Sequence, residues 1–206
     1  TLVSCFDINS LNMFKNKNNN NGVNKMNQVE TVEIKKDKEL NKSKIYIACL
    51  ASYNSGILSG EWIEPSTDKD DLELQIANIL KSSPIPNAEE YAIHDYEYFP
   101  DIGEYPGLDQ IIEVKEAINK NGFSVVKGFI ENFSVDDLDH IEDAFHGTYD
   151  CFKDFAEQYA EDCILIDCPE HIKNYIDYDQ IASELKMDYS ESDAENFQVH
   201  IFNSTW

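Results

Sequence analysis

The sequence predicts an α+β fold in three small units: an antiparallel sheet covered by a helix, a helical middle, and a mixed α and β end. Three observations carry this. β-branched and aromatic runs divided by turn residues open the apolar part of the chain at residues 45–64. Apolar residues at helical spacing follow through the middle, and segments of both periodicities share the last stretch.

IYIACLASY (45–53) predicts a strand, NSG a turn, and ILSGEWIE a second strand, so the simplest arrangement is a hairpin. Ser66 or Thr67 would cap a helix over 68–81 with Leu72, Ile76, Ile79 and Leu80 on one side, stopped by SSPIP at 82–86. EEYAIHDYEYF (89–99) supplies a further strand. A helix over 107–120 turns Leu108, Ile111, Ile112 and Ile118 inward and ends at Asn121 and Gly122. Short helices are expected at 123–130, where VVKGFI also allows a strand, and at 134–145. The last unit starts near Gly147 and runs through a helix, the ILID segment at 164–167, HIKNYI, a helix DYDQIASELKMD, and a final strand NFQVHIF (196–202) with an edge free to pair with a second copy. Tyr53, Trp62, Tyr91, Tyr96 and Tyr105 are expected in the first core, and Tyr175, Tyr178 and Tyr189 in the last.

Charge divides the chain. Of 206 residues, 40 are acidic and 16 basic, every basic one a lysine, for a net charge of −24. Residues 1–44 carry eight Lys and five acids, with the low-complexity run NKNNNNGVNKMN, and read as a polar, flexible extension. Residues 45–206 carry eight Lys and 35 acids, net −27. Such a field repels nucleic acid and anionic membranes, and it attracts proteins whose clefts receive polyanions. Acidity that serves only solubility is the competing explanation. With 42% apolar residues the chain as a whole has the material for a core. Five scattered cysteines make no disulfide framework or zinc motif, and no apolar run is long enough to span a bilayer, so a cytoplasmic protein with free thiols is expected.

On a helix, Asp150, Asp154, Glu157 and Glu161 would form one stripe, with Phe152, Phe155 and Tyr159 forming its neighbour. Like charges at this spacing destabilise an isolated helix by a few tenths of a kcal/mol per pair. Further acids cluster at Asp68, Asp70, Asp71 and Glu73; at Asp136, Asp137, Asp139, Glu142 and Asp143; and at Asp177, Asp179, Glu184 and Asp188. Their spread argues against one catalytic pocket. Duplex DNA carries one negative charge per roughly 1.7 Å of axis, so the acidic part matches the charge of about 46 Å of duplex.

The five histidines form no HExxH or zinc spacing, DKDDLE lacks the ligand pattern of a calcium loop, and no Walker loop, dinucleotide fingerprint or GxSxG elbow occurs. Neither enzymatic activity, nor a metal, nor a cofactor is expected.

IYIACLASYNSGILSGEWIE (45–64), AIHDYEYFPDIGEY (92–105), YDCFKDFAEQYAED and NYIDYDQIASELKMDY together resemble the ArdA antirestriction proteins, in order over about residues 45–203. The resemblance implies an elongated homodimer of three small domains, here 45–102, 103–144 and 145–206, with the last domain dimerising. It implies a mimic of duplex DNA that occupies the DNA-binding groove of type I restriction-modification enzymes, or of their methyltransferase core, without binding nucleic acid itself. Carried onto this chain, the partner-binding acids are Asp109, Glu113 and Glu116, then Asp136, Asp139, Glu142 and Asp143, continued by Asp150, Asp154, Glu157 and Glu161. The remaining reading is an acidic structural or interaction module without mimicry.

Overall fold

Strand β1 (Lys44–Cys49) places Ile45 and Ile47 in full burial and lies at the centre of a three-stranded sheet. In this computed structural model, which describes residues 42–205, β1 pairs antiparallel with β2 (Gly60–Ile63) on one side and β3 (Tyr91–Glu97) on the other. The expected first strand is too long. After Cys49 the chain forms a short helix, α1 (Leu50–Asn54), with Ser52 fully buried and its hydroxyl 2.8 Å from that of Ser83. Tertiary hydrogen bonds override the strand preference of Leu50–Tyr53.

Helix α2 (Lys69–Lys81) starts where the Asp68 side chain accepts from the Asp71 N–H at 2.9 Å, and it buries Leu72, Ile76 and Ile79. Asp68, not Ser66 or Thr67, is the cap. Helices α3 (Leu108–Asn121) and α4 (Phe123–Asn132) follow one another with only Gly122 between them. Gly122 has φ +88°, a backbone region that other residues enter at a cost. VVKGFI is therefore helix. The expected helix over 134–145 is instead a 3₁₀ run (Val135–His140), one α turn, α5 (Ile141–Ala144), and the start of β4 (Phe145–Tyr149).

The second sheet has the order β4–β6–β5, with β5 at Tyr189–Asp193 and β6 at Val199–Asn203, all antiparallel. The final strand is thus central, with both edges already paired, and Asn196 and Phe197 fall outside it; the free-edge expectation is corrected. Strands β4 and β5 escaped the sequence reading because HGT and SES carry no apolar alternation. Helix α6 (Phe152–Tyr159) continues into a π turn (Ala160–Ile164), then come α7 (Glu170–Lys173) and α8 (Tyr178–Leu185).

One apolar cluster runs from Ile45, Ile47 and Ile93 of the first sheet through Leu72, Ile111, Val114 and Phe129 to Phe202. The Phe202 ring lies 5.5 Å from Phe145 and 5.9 Å from Phe129. A second cluster joins Phe152, Phe155, Ala156, Leu185 and Ile201. The aromatic expectations divide: Tyr91, Tyr96 and Tyr189 pack against these clusters, whereas Tyr53, Tyr105 and Tyr175 are exposed and Trp62 is largely so. Cys49, Cys151 and Cys168 are free thiols. No helix among the described residues is long and apolar enough to cross a membrane. The expected extension over 1–44 lies almost wholly outside the described residues.

Candidate functional site

Helix α3 turns Ile111 and Val114 into the core, and this fixes Asp109, Glu113 and Glu116 on its outer side. Facing it, the 3₁₀ run and α5 bury Leu138, Ile141 and Ala144, which leaves Asp136, Asp139, Glu142 and Asp143 exposed. The Ser134 hydroxyl caps this run by accepting from the Asp136 N–H at 3.2 Å. Between the two elements lies a groove of about 460 Å³ lined by Glu113, Glu116, Asp136, Asp139 and Glu142, with Lys120 as its only basic wall among the described residues.

The acids are held loosely. Lys120 Nζ lies 2.6 Å from Glu142, Lys69 Nζ lies 2.6 Å from Asp109, Gln110 Nε2 donates to Asp136 at 3.3 Å, and His140 Nε2 is 3.5 Å from Asp139. Glu113, Glu116 and Asp143 have no ion pair among the described residues. These pairs are solvent-exposed, so each is weak and is easily exchanged for a partner's cation. Across the described residues no Asp or Glu is buried; Asp137, Glu157 and Glu161 are half-buried.

The stripe at the start of the last unit is less regular than its spacing predicts. Asp150 precedes the helix cap at Cys151 and accepts from Gln198 Nε2 at 2.9 Å. Asp154 and Glu157 do share α6. Glu161 falls in the π turn, where the Leu165 N–H reaches the Ala160 carbonyl five residues back and rotates the chain out of register. It is bound by Lys173 and by the Tyr178 hydroxyl, and those two hydrogen bonds hold its carboxyl below the usual range. Phe152 and Phe155 do form the buried neighbouring stripe.

Sequence reasoning missed Lys115. It is 7% exposed, and its ammonium donates to Ser43 Oγ at 2.6 Å and to Glu64 at 3.1 Å. Partial burial raises the Glu64 carboxyl, but the hydrogen bond and charge of Lys115, with Lys42, outweigh it and leave the group below its ordinary value. Position 115 follows Ile111 by four and precedes Ile118 by three, so the inward spacing was the available signal. Lys42 and Lys115 line a larger cavity of about 710 Å³, with Tyr98, Asn121, Asn196 and His200 among its walls.

The histidines take structural places. His200 is buried between Ser124 Oγ at 2.8 Å and Thr148 Oγ1 at 2.9 Å, and burial pulls its pKa down. His146 packs on Phe155 and Tyr189, and His94 on Tyr53. Among the described residues no group of three or more His, Cys, Asp or Glu is placed to hold a metal ion.

A comparison with protein families matches residues 45–196 to the family described as Antirestriction protein (ArdA). No curated protein matches the chain.

Proposed function

Because this chain belongs to the ArdA antirestriction family, we propose that it inhibits type I restriction-modification enzymes by presenting carboxylates where DNA would present phosphates. Family membership makes it an antirestriction protein rather than an enzyme. The observation that carries the mimicry is the groove between α3 and the 136–142 segment, with five outward carboxylates around one lysine. A DNA-binding cleft gains affinity by releasing counterions when a polyanion enters, and carboxylates accept the arginine fork much as phosphates do. The molecule is elongated and divides into three units, 45–102, 103–144 and 145–206, and Asp150, Asp154, Glu157 and Glu161 continue the binding surface. The protein acts in the cytoplasm and does not bind nucleic acid itself.

The test is competition for labelled duplex DNA on a type I methyltransferase core. The protein displaces DNA, and changing Glu113, Glu116, Asp136, Asp139 and Glu142 together to amides weakens displacement by about ten-fold or more with the fold intact. Unchanged displacement by that variant would favour an acidic interaction module over mimicry.

The chain also works as a homodimer through its last unit. Ile164, Ile166, Ile172 and Tyr175 are exposed within one short stretch after α6, an apolar surface that a second copy would cover. Ile166→Asp is expected to shift the protein to monomer in sedimentation velocity.

A further inference from the structure

The hairpin between β5 and β6 ends in an aromatic ring that none of the described residues covers. Phe197 is 101% exposed, while Val199 and Ile201 of the strand that follows pack into the second cluster. The reason is local. Asn196 has φ +58° and Phe197 φ +64°, two successive non-glycine residues in the left-handed region. Closure comes from the Ala194 N–H donating to the Gln198 carbonyl at 2.9 Å and the Gln198 N–H donating to the Glu195 carbonyl at 3.2 Å. A bulky side chain in this backbone region is uncommon, and such strain concentrates at sites that contact ligands.

The surroundings of the ring are anionic. Glu195 and Asp193 are exposed just before it, and Gln198 just after it holds Asp150. Asn196 of the hairpin tip lines the larger cavity, which shares its Asn121 wall with the acidic groove. A flat π face with carboxylates on either side has the chemistry of a nucleotide, a base flanked by phosphates. Enzymes that modify bases extrude the target nucleotide and stack it among aromatic and apolar side chains.

From this placement we infer that Phe197 is an aromatic anchor entering a base-stacking site of the target enzyme, in the position of an unpaired base. This rests on the mimicry proposed above. Charge alone gives attraction that fades with salt, whereas a stacked ring adds a contribution that salt does not screen.

The experiment uses the full chain, competing for labelled duplex DNA on the methyltransferase core at low and at moderate salt. Because the Phe197 side chain is fully exposed, Phe197→Ser is expected to fold normally, with unchanged circular dichroism. The expected result is displacement weakened about ten-fold at both salt concentrations by Phe197→Ser, restored by Phe197→Trp. On complex formation, Phe197→Trp emission also moves to the blue relative to a wild-type control carrying Trp62 and Trp206. Equal displacement by Phe197→Ser and wild type overturns the anchor and leaves the mimicry standing. Loss of a dimer in Phe197→Ser, seen by sedimentation, also overturns it, since the ring would then serve a second copy. Failure of the wild type to displace DNA removes the mimicry and the anchor with it.

Discussion

His200 is a buried polar residue whose ionisation the fold opposes. Its two ring nitrogens are engaged by Ser124 and Thr148, and burial lowers its pKa; His146 is shifted the same way by burial. The unfolded chain takes up these protons near the ordinary histidine value of about 6.5, while the folded chain refuses them until lower pH. The unfolded state therefore binds more protons in that window, and stability falls as pH drops below about 6.5. Glu64 and Glu161, whose carboxyls are held low, lose their contributions only around and below about pH 4.3, the ordinary glutamate value. The melting temperature should accordingly decline between about pH 7.5 and about 5.5, and the decline should be smaller in His200→Gln, as scanning calorimetry would record. An equal decline in both would place the acid sensitivity elsewhere.

Helix α4 meets the second sheet through its one glycine. A Cβ on Gly128 would lie 2.1 Å from Ser192 Oγ, and that hydroxyl and the Ser190 hydroxyl are buried without hydrogen-bond partners among the described residues. Gly128→Ala should cost roughly 1–3 kcal/mol through overpacking, and Ser192→Gly in the same chain should recover much of it, as denaturant titration of the four-member cycle would show. A Gly128→Ala loss that Ser192→Gly leaves untouched would locate the strain outside this contact. Elements differ in how much of them the sequence revealed. Helices α2 and α3 were legible because Leu72, Ile76 and Ile79 recur at helical spacing in the one and Ile111 turns inward in the other, all into the first apolar cluster. Strand β5 was not legible: YSESD has no apolar alternation, and Ser192 is buried only because Gly128 allows a helix so close. The acids at Glu113, Glu116, Asp136, Asp139 and Glu142 were legible as residues, but their convergence on one groove depends on the break of the 134–145 segment into a 3₁₀ run and an α turn. Asp150 and Glu161 left the predicted stripe because a cap and a π turn bound the helix, features that residue spacing does not encode.

At the scale of the molecule, the same charge acts in opposite directions on folding and on binding. With 35 acids against eight lysines over residues 45–206, self-repulsion destabilises the folded chain at low ionic strength. Added salt shortens the screening length from about 30 Å at 0.01 M to about 8 Å at 0.15 M, and it should raise the melting temperature while weakening DNA displacement. Parallel salt series of calorimetry and competition would measure both; a binding constant flat with salt would contradict the electrostatic account. The order β4–β6–β5 has a temporal meaning as well, because the strand that joins the other two is the last of the three to be made. Strands β4 and β5 pair only with β6 in this sheet, and Phe129 and Phe145 both pack on Phe202 of that strand. A chain that stopped short of residue 199 would therefore hold two strands of this sheet with no neighbour to zip them together.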